Sequence, residues 1–396
     1  MSRSILILSY TDMAKDARVR RQVHELVLAG YTVSTGAGAP AMMENGTFTP
    51  IHLQPWDHLQ LPVPLRKAKS FMIRLRNRAY RMAGDHVKGY WSRHRMMDLA
   101  ALRDVPADLI IANDIDTLPL ALALRGSGTK VLFDAHEYHP LQGEGNRRWM
   151  ASYHARNTAL CKTFMPQADH CFTVSPGIAE RYAALTGTRP DVLTNAPAFQ
   201  RQAPALHDQG PIHLVHHGIA TRQRLTLDLV HLMDGLGPAY HMHFHLLTDQ
   251  DPDYARAVLE ACAQRSNISV HPPLAPDRIC EAIREYDIGV HRLSAHNTNH
   301  QLALPNKFFE FIQARLAIAA SPSPSMAEII RADGLGAVAE DHSVEALAKA
   351  IRSLDRDRIA ACKRQAHAVA FRHSAEGNMR LLRSTVARLT GLPHQF

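Results

Sequence analysis

The feature that most constrains this chain is a regular alternation of short apolar segments with helical stretches along nearly its whole length. Between the apolar segments, hydrophobic residues recur at helical spacing, as at Val19, Val23 and Leu26 before a stop at Gly30. Apolar strands that alternate with helices form parallel sheets covered on both faces, so we predict an α/β fold. The predicted strands are Ile5–Ser9, Thr32–Ser34, Leu109–Ala112, Val131–Phe133, His170–Val174 and Asp191–Leu193 in the first half, and Ile212–His216, His241–Leu247, Ile268–His271, Ile288–His291, Ile318–Ala320 and Ala337–Ala339 in the second.

A segment with neither strand nor helix periodicity divides the chain near residue 200. Ala196–Pro211 is rich in Pro, Ala and Gln, a composition typical of a linker. A length of 396 residues also suits two or three domains, at roughly 100–200 residues each. We predict a first Rossmann-like domain at residues 1–197, a linker at 198–211, a second Rossmann-like domain at 212–374, and a helix at 375–396 placed to pack back on the first domain.

Composition and cysteine usage indicate a globular protein of the cytoplasm. Apolar residues make up 46% of the chain and charged residues 21%, the balance of a folded domain protein. The longest apolar runs, such as Ile5–Leu8, fall far short of the ~20 residues that a membrane span needs, and this first run is too short for a signal peptide. Five cysteines without a C-x-x-C pair suggest neither a disulfide framework nor a zinc site.

The loops that follow strands decide the function, because ligands of open parallel sheets bind where strand carboxyl ends meet helix N-termini. No G-x-G-x-x-G follows the first strand, and neither a P-loop nor a G-x-S-x-G motif occurs in the sequence. Two first-domain loops carry carboxylates and an imidazole instead: Asp114 and Asp116 follow one strand, and His136 and Glu137 follow the next. Asp116 has the alternative role of capping a helix, whereas no cap requires Asp114, His136 and Glu137 side by side.

Two second-domain loops have the residues that bind a phosphate. Gly218 begins a turn that carries Arg222 and Arg224 into a helix, and guanidinium groups beside a helix N-terminus favour an anion. Lys307 and Glu310 are three residues apart in the first turn of a predicted helix, on one face. A cation for a diphosphate and a carboxylate for two vicinal hydroxyls would serve one nucleotide. The alternative is a surface salt bridge between these two residues, worth about 0.3–0.5 kcal/mol.

Histidines are numerous, at 25, but their spacing does not favour a metal site. His136 and His139 are one residue short of the spacing that zinc proteases use. His241, His243 and His245 alternate along one predicted strand and point the same way, which leaves a metal-binding face as the alternative. We expect no metal and no other cofactor.

At these loops the sequence resembles glycosyltransferase family 4, the nucleotide-sugar-dependent enzymes of the GT-B fold, whose two Rossmann-like parallel-sheet domains face a central cleft. The resemblance covers most of the chain, and its specificity lies in the order of several short motifs. The motifs are Asp16-Ala17-Arg18-Val19, Asn113-Asp114-Ile115-Asp116-Thr117-Leu118, Asp134-Ala135-His136-Glu137, Val174-Ser175-Pro176-Gly177-Ile178-Ala179, Thr194-Asn195-Ala196-Pro197, His217-Gly218 with its arginines, and Leu304-Pro305-Asn306-Lys307-Phe308-Phe309-Glu310-Phe311, followed by the strand Ile318–Ala320.

The resemblance implies a role for each motif. Glu310 would bind the ribose hydroxyls of the donor, and His136 would contact the transferred sugar. Lys307 and either Arg222 or Arg224 would hold the diphosphate as it leaves. The further site residues implied are Gly218 and Asn306 for donor binding, and Asp114, Asp116, Glu137, Asp16 and Arg18 on the acceptor side. His296, Asn297 or Asn299 are the candidates for contacts with the sugar hydroxyls in place of a family residue that this chain lacks.

The implied reaction is a retaining transfer of a sugar, without a metal, to a saccharide or lipid-linked acceptor in polysaccharide or glycoconjugate synthesis. Lys307 and an arginine would neutralise the departing diphosphate, which would itself take the acceptor proton. The family commonly carries a second Glu eight residues before Glu310, and this chain has Leu302 there, so the identity of the sugar is not inherited. The alternatives are a nucleotide-sugar epimerase or hydrolase on the same fold, and a binding protein that has lost its chemistry.

The net charge of +8 is concentrated in one stretch. Between Arg66 and Arg95 there are ten Lys and Arg residues and one acid, Asp85. We predict a helix here that packs an apolar stripe on the first-domain sheet and exposes its cations, as a candidate contact with an anionic membrane surface. No recognised nucleic-acid motif accompanies the charge, so we do not expect nucleic acid as a partner. The stripe is Leu65, Ala68, Met72, Leu75, Ala79 and Met82.

Overall fold

A computed structural model describes residues 3–13, 16–39, 48–52, 72, 75–76, 79–80, 82–293, 298–302 and 304–391. The chain divides into unit 1, residues 1–193 and 379–396, and unit 2, residues 194–378. The segment interpreted from the sequence as a linker at 198–211 belongs to unit 2. Its backbone at Gln200 accepts a hydrogen bond from Arg315 at 2.6 Å and donates one to the Gln313 side chain at 3.0 Å.

The sheet of unit 1 has seven parallel strands: β1 (Ser4–Asp12), β2 (Thr32–Ala39), β3 (Phe48–His52), β4 (Leu109–Asn113), β5 (Lys130–Ala135), β6 (His170–Thr173) and β7 (Asp191–Val192). They lie in the order β3-β2-β1-β4-β5-β6-β7, with Ile5 of β1 beside Leu109 of β4. The six strands predicted in this half are present, and β3 is additional. Because the order reverses between β1 and β4, the carboxyl ends of the central strands are where such a sheet binds ligands.

Four of the α-helices described in unit 1 begin at a side chain that caps them, namely Asp16, Ser92, Asn146 and Ser175. Asp16 Oδ1 accepts hydrogen bonds from the backbone N–H groups of Arg18 and Val19, at 3.1 Å each, and so starts the first helix. The α-helices are α1 (Ala17–Leu28), α2 (Arg93–Leu102), α3 (Leu118–Leu124), α4 (Arg147–Trp149), α5 (Ala155–Phe164) and α6 (Pro176–Thr186), with a π-helical stretch at Met150–His154 and 3₁₀ turns at Lys88–Tyr90, His139–Leu141 and Met165–Gln167.

The sheet of unit 2 has six parallel strands: β8 (Ile212–Ile219), β9 (Tyr240–Leu247), β10 (Ile268–His271), β11 (Ile288–His291), β12 (Ala317–Ala320) and β13 (Gly336–Val338). The order is β10-β9-β8-β11-β12-β13, so the chain reverses between β8 and β11. All six strands predicted in this half are present. The reversal again marks the edge of the sheet at which a ligand is expected.

The helices of unit 2 cover both faces of this sheet. They are α7 (Thr226–Leu236), α8 (Pro252–Ala263), α9 (Ile279–Ala282), α10 (Thr298–Leu302), α11 (Asn306–Gln313), α12 (Pro324–Asp333), α13 (Val344–Arg352) and α14 (Arg356–Val369), with a 3₁₀ turn at Arg222–Arg224. Helix α11 lies close to β11 because Gly289 has no side chain: a Cβ there would be 2.4 Å from the Phe311 ring. Glycine at this position therefore permits α11 to pack closely on β11.

The last helix, α15 (Ala375–Thr390), begins in unit 2 and belongs to unit 1 from Met379 onward. Its side chains Leu382 and Val386 are buried in the same hydrophobic cluster as Ile7 of β1. Among the described residues, no helix is long and apolar enough to cross a membrane.

The apolar stripe predicted between residues 65 and 82 does not pack as expected where it is described. Met72, Leu75 and Met82 are helical, yet their exposed fractions are 69%, 57% and 79%. The cation Arg95 is also not on the surface, because its side chain is 4% exposed and paired with Asp116. The stripe residues Leu65 and Ala68, and the cations Arg66, Lys67, Lys69, Arg74, Arg78 and Arg81, lie outside the described residues.

Candidate functional site

In unit 1, a cluster of carboxylates and imidazoles lies at the carboxyl ends of β4 and β5; we call Asn113, Asp114, Asp134, His136 and His139 the unit 1 cluster. The His136 ring has an acceptor at each nitrogen, with Nε2 3.1 Å from Asn113 Oδ1 and Nδ1 3.6 Å from Asp114 Oδ2. Burial lowers the pKa of His136, but Asp114 and Asp134 outweigh it and raise the pKa to about 9. The imidazole is therefore a cation at neutral pH, with 19% of its side chain exposed.

Asp114 adopts an uncommon backbone conformation that places its carboxylate inside the cluster. Its φ is 66°, in the left-handed region that non-glycine residues rarely occupy, and Thr117 Oγ1 donates to its carbonyl at 3.0 Å. Asp114 Oδ1 lies 3.2 Å from His139 Nε2 and accepts the His136 backbone N–H at 3.3 Å. Burial raises the pKa of Asp114, but the two imidazoles lower it overall. Backbone strain of this kind concentrates at functional sites.

Arg18 lies beneath the cluster and supports it. Its Nε and Nη2 donate to the two carboxylate oxygens of Asp134 at 2.8 and 2.6 Å, and Nη1 donates to the Leu193 carbonyl at 2.6 Å. Gln22 donates a further hydrogen bond to Asp134. Since the whole Arg18 residue is 4% exposed, the acceptor-side contact implied by the resemblance is corrected to a role in holding Asp134.

Three other acceptor-side candidates are also engaged by protein groups. Asp116 Oδ1 accepts from Arg95 at 2.8 Å and from Arg156 at 2.5 Å, which holds the pKa of the carboxyl below its usual range despite burial. Glu137 accepts from Gln142 at 2.7 Å, and burial raises the pKa of Glu137. The carboxylate of Asp16 caps α1 and also accepts from Thr11 Oγ1 at 2.9 Å.

His139 is a member of the cluster that the sequence analysis did not select. It is 1% exposed, and its Nε2 also lies 3.3 Å from the Ile115 backbone N–H. Tyr182 fixes the loop from the other side, because its hydroxyl accepts the His139 N–H at 3.0 Å and donates to the Glu137 carbonyl at 2.7 Å. The available signal was a second imidazole three residues after His136.

In unit 2, a second group lies at the carboxyl end of β8 and the start of α11; we call His216, His217, Gly218, Lys307 and Glu310 the unit 2 cluster. Lys307 Nζ donates to His216 Nε2 at 3.0 Å. Gly218 has a φ of 116°, and a Cβ there would lie 3.6 Å from Nζ, so glycine permits this turn and leaves the space beside the ammonium open. No described side chain caps α11, and the Phe308 N–H in its first turn donates to the Pro305 carbonyl at 2.9 Å.

The two ionisable groups of this cluster both have shifted pKa values. Burial and the nearby charge of Arg224 lower the pKa of Lys307 to about 7, although Glu310 acts in the opposite direction. Burial raises the pKa of Glu310 to about 7, against the effect of Lys307. Glu310 Oε2 lies 3.3 Å from His217 Nε2, and 14% of the Glu310 side chain is exposed. Lys307 and Glu310 are thus each partly neutral at pH 7, and an added charge nearby would change their protonation.

The two arginines that the sequence could not tell apart differ in their surroundings. Arg222 lies over the Tyr254 ring, 5.4 Å from its centre, and its Nε is 3.9 Å from Asp251 Oδ2. Arg224 lies close enough to Lys307 for its charge to lower the lysine pKa, and within the described chain it has no carboxylate partner. Of the two arginines, Arg224 is thus the one whose charge acts on Lys307.

The remaining donor-side candidates are spread around α11. Asn306 is the exposed first residue of α11, and Asn299 is buried in α10. His296 and Asn297 lie outside the described residues. Leu302, at the usual position of a second Glu, accepts a hydrogen bond at its carbonyl from Ser325 Oγ at 3.0 Å.

The histidines of β9 form a ladder across the sheet with those of its neighbours. His243 bonds on one side to His213, at 2.9 Å, and on the other to His271, at 3.0 Å, while His241 bonds to Ser269 Oγ at 2.8 Å. Burial, followed by the neighbouring imidazoles, lowers the pKa of His243 to about 3. Among the described residues, no group of three His, Cys, Asp or Glu side chains is arranged to hold a metal ion. The histidines predicted to share one face of β9 therefore form part of a hydrogen-bonded array.

Comparison with known proteins gives a match only at the level of structure. No protein-family model matches the chain, and no curated protein does. Sucrose-phosphate synthase from Thermosynechococcus elongatus matches with a TM-score of 0.71 at 14% identity, over 98% of this chain and 99% of that chain. Anabaena HepE, solved with UDP and glucose, matches with a TM-score of 0.66 at 12% identity, over 98% and 100%. WaaG, a glycosyltransferase involved in lipopolysaccharide biosynthesis, matches with a TM-score of 0.65 at 13% identity, over 98% and 100%.

These likenesses extend over essentially the full length of each protein and show the fold. The chain has the GT-B fold, with two α/β units that are each built on a parallel sheet, and the predicted fold class is confirmed.

Proposed function

We propose that this protein is a glycosyltransferase that takes a sugar from a nucleotide-sugar donor whose diphosphate binds at the unit 2 cluster. The observation that carries the proposal is the placement of Lys307 in the first turn of α11, beside Gly218 and at the edge where the strand order reverses. A lysine there opposes the helix dipole unless an anion binds. UDP in the structure of Anabaena HepE supports a nucleotide as that anion.

We assign the diphosphate to Lys307 and Arg224, and the ribose hydroxyls to Glu310. Arg224 is preferred over Arg222 because its charge acts on Lys307, whereas Arg222 lies on an aromatic ring. Two fixed cations would stabilise the negative charge that develops on the diphosphate as the bond to the sugar breaks, with no reorganisation at that moment. The carboxylate of Glu310, partly exposed beside them, would select a ribose by accepting from its hydroxyls.

We further propose that the transfer retains the configuration of the sugar, that the departing phosphate takes the acceptor proton, and that His136 contacts the transferred sugar. A saccharide or lipid-linked acceptor in polysaccharide or glycoconjugate synthesis is the acceptor class that fits the resemblance and the likeness to WaaG. In unit 1, a partly exposed imidazolium, with the Asp114 carboxylate beside it and the buried Asp134 carboxylate nearby, is suited to hydrogen-bond sugar hydroxyls.

The proposal is tested with a panel of UDP-, GDP-, dTDP- and ADP-sugars, first by thermal stabilisation and then by release of the nucleoside diphosphate. One donor class should raise the melting temperature, and its turnover should depend on an added acceptor. Turnover without any acceptor would favour a nucleotide-sugar epimerase or hydrolase. Stabilisation without turnover under any condition would favour a binding protein that has lost its chemistry.

Replacing Glu310 with alanine should weaken binding of the nucleoside diphosphate by about 1.5–3 kcal/mol, the range of hydrogen bonds to a charged group. The measurement is calorimetric titration of the whole protein. Glu328→Ala, at an exposed position on α12, is the matched control and should bind as the wild type does. Unchanged affinity in the Glu310 variant would show that the ribose is held elsewhere.

We expect the reaction to need no divalent metal, because Lys307 and Arg224 already supply the positive charge that a metal would bring to the diphosphate. The rate should stay the same when the assay contains excess EDTA, and added magnesium or manganese should not raise it. An absolute requirement for either ion would contradict the assignment of the two cations.

We also propose that the protein binds the surface of anionic membranes through the basic stretch of residues 66–95, apart from Arg95, which is buried against Asp116. Met72, Leu75 and Met82 are exposed apolar side chains within a basic stretch, a combination that suits the boundary between headgroups and acyl chains. Each Lys or Arg near an anionic surface adds about 1 kcal/mol. Binding to vesicles that contain phosphatidylglycerol should weaken as salt rises from about 50 to 500 mM, because screening shortens.

The control for this membrane experiment compares two sets of four substitutions. Changing Arg74, Arg76, Arg78 and Arg81 to glutamine should abolish vesicle binding and leave nucleotide affinity unchanged. Changing the exposed unit 2 arginines Arg256, Arg278, Arg331 and Arg358 to glutamine should leave vesicle binding unchanged. Equal binding to neutral and anionic vesicles, or no binding to either, would contradict the membrane proposal. We would then expect a water-soluble acceptor.

A further inference from the structure

His216 occupies the place where two central strands of unit 2 stop pairing. The ladder between β8 and β11 ends at Val215 and Gly289, and His216 follows directly. Its Nδ1 lies 2.9 Å from the Val290 carbonyl. Because a carbonyl oxygen only accepts, Nδ1 must carry the hydrogen and donate it. A neutral ring in this tautomer has a free lone pair at Nε2.

That lone pair faces Lys307. The distance from Nε2 to Nζ is 3.0 Å, and an ammonium group can only donate, so the bond runs from the lysine to the imidazole. His216 is 1% exposed and packs edge-on against Phe244, which leaves its ring little freedom to turn. Burial and the Lys307 charge hold the pKa of His216 well below its usual value, so the ring stays neutral at physiological pH.

We infer that His216 is a positioning residue, whose Nε2 accepts a hydrogen bond from the Lys307 ammonium and holds it beside Gly218, where the diphosphate binds. The inference rests on the proposed function, because it assigns a nucleoside diphosphate to this place. His216 need not touch the nucleotide and acts on it only through Lys307.

This arrangement makes nucleotide affinity depend on pH in a defined direction. The groups that face Lys307 are His216 and His217 from β8, Arg224 from the following turn and Glu310 from its own helix. His245 of β9 and His291 of β11 in turn face the two β8 imidazoles, His217 and His216.

Lys307 has a pKa of about 7, and a diphosphate binds the ammonium form, so affinity should fall as pH rises above about 7. Loss of the Nε2 acceptor would remove one of the interactions that favour the ammonium. The fall in affinity should then begin at a lower pH.

Two substitutions separate the two hydrogen bonds of the His216 ring. In His216→Gln the amide oxygen reaches the place of Nε2, so the acceptor for Lys307 is kept and the donor to Val290 is lost. In His216→Asn the shorter amide reaches the place of Nδ1, so the donor is kept and the acceptor is lost. His241→Asn, on the same sheet and bonded to Ser269, is the matched control.

The measurement is the affinity for UDP, and for inorganic pyrophosphate as a probe independent of the base, between pH 6 and 9. His216→Asn should bind about tenfold more weakly at pH 7.5, with the fall in affinity moved about one pH unit lower. His216→Gln and His241→Asn should keep the wild-type profile. The inference would be overturned if the Gln and Asn variants lost equal affinity. It would also be overturned if the Asn variant bound more weakly at every pH while its fall in affinity began at the same pH as in the wild type.

A second measurement on the wild type covers the case in which the Asn variant does not fold. Titration at pH 8 in buffers of different ionisation enthalpy should reveal proton uptake on binding, and its absence would also overturn the inference. If pyrophosphate binds but UDP, GDP, dTDP and ADP do not, the proposed function is wrong. The role of His216 can then still be tested by comparing the variants with pyrophosphate as the ligand.

Discussion

Replacing Lys307 with methionine is expected to lower kcat about 100- to 1,000-fold, the loss typical of removing one preorganised group that stabilises developing charge. Methionine keeps most of the length of the side chain and removes the ammonium that His216 holds at 3.0 Å. Since the charge on the diphosphate grows as the sugar departs, the loss should fall more on kcat than on KM. Steady-state kinetics with the donor found in the nucleotide-sugar panel measures both.

Lys363→Met is the matched control for this experiment. Lys363 is 1% exposed, its Nζ donates to the Tyr286 carbonyl at 2.6 Å, and burial lowers its pKa to about 8. It is therefore a second buried lysine of unit 2 with a structural partner. Its replacement should lower the melting temperature and leave kcat at the wild-type value. Full activity in the Lys307 variant would remove the basis for a diphosphate at the unit 2 cluster.

His136→Ala should lower kcat tenfold or more, which corresponds to at least about 1.4 kcal/mol in the barrier. The ring is partly exposed, and Asp114 and Asp134 hold it as an imidazolium. Its Nε2 faces Asn113 at 3.1 Å, whereas Nδ1 is 3.6 Å from Asp114 Oδ2, so Nδ1 is the nitrogen expected to donate to a sugar hydroxyl. Steady-state kinetics and thermal melting, done on the same preparation, separate a catalytic from a structural role.

His139→Ala provides the comparison within the same cluster. Because His139 is 1% exposed and its Nε2 lies 3.2 Å from Asp114 Oδ1 and 3.3 Å from the Ile115 backbone nitrogen, its loss should lower the melting temperature more than the loss of His136. A His136 variant that unfolds early and keeps its activity once folded would show that the ring serves the fold alone.

The pH dependence of stability gives an independent check on His136. Its pKa is raised from 6.5 to about 9 in the folded protein, so its stabilising effect is complete below pH 6.5 and is lost as pH rises through 9. The melting-temperature difference between wild type and His136→Ala should therefore shrink across this range. A difference that stays constant from pH 6 to 9.5 would mean that the imidazole is not charged in the folded state.

Much of the fold could be predicted from the sequence, because parallel strands buried on both faces leave continuous apolar runs between helices. Strand β3 (Phe48–His52) was not predicted, since it contains Pro50 and lies at the edge of its sheet, where the apolar requirement is weaker. The helix stripe at Met72, Leu75 and Met82 was predicted to be buried and is exposed. Helical periodicity shows that an apolar face exists and not what covers it.

For the candidate site, the sequence identified the loops better than the roles of their residues. Lys307 and Glu310 were selected because strand ends and helix starts must meet at one edge of a sheet. Arg18 was assigned to the acceptor side, yet it is buried with Asp134, a pairing across the fold that no local pattern reveals. His216 was missed because its place, at the end of the β8–β11 ladder, depends on which strands are neighbours.

Whether unit 2 binds a nucleoside diphosphate is tested most directly by calorimetric titration of UDP, GDP, dTDP and ADP into the whole protein at pH 6.5. At this pH Lys307 is mainly an ammonium, so the affinity should be near its highest. We predict that one of the four binds with a single site per chain, and that Lys307→Met and Glu310→Ala each weaken it while Lys363→Met does not. Absence of binding to the wild type, or equal affinity in all of these variants, would contradict the proposed glycosyltransferase.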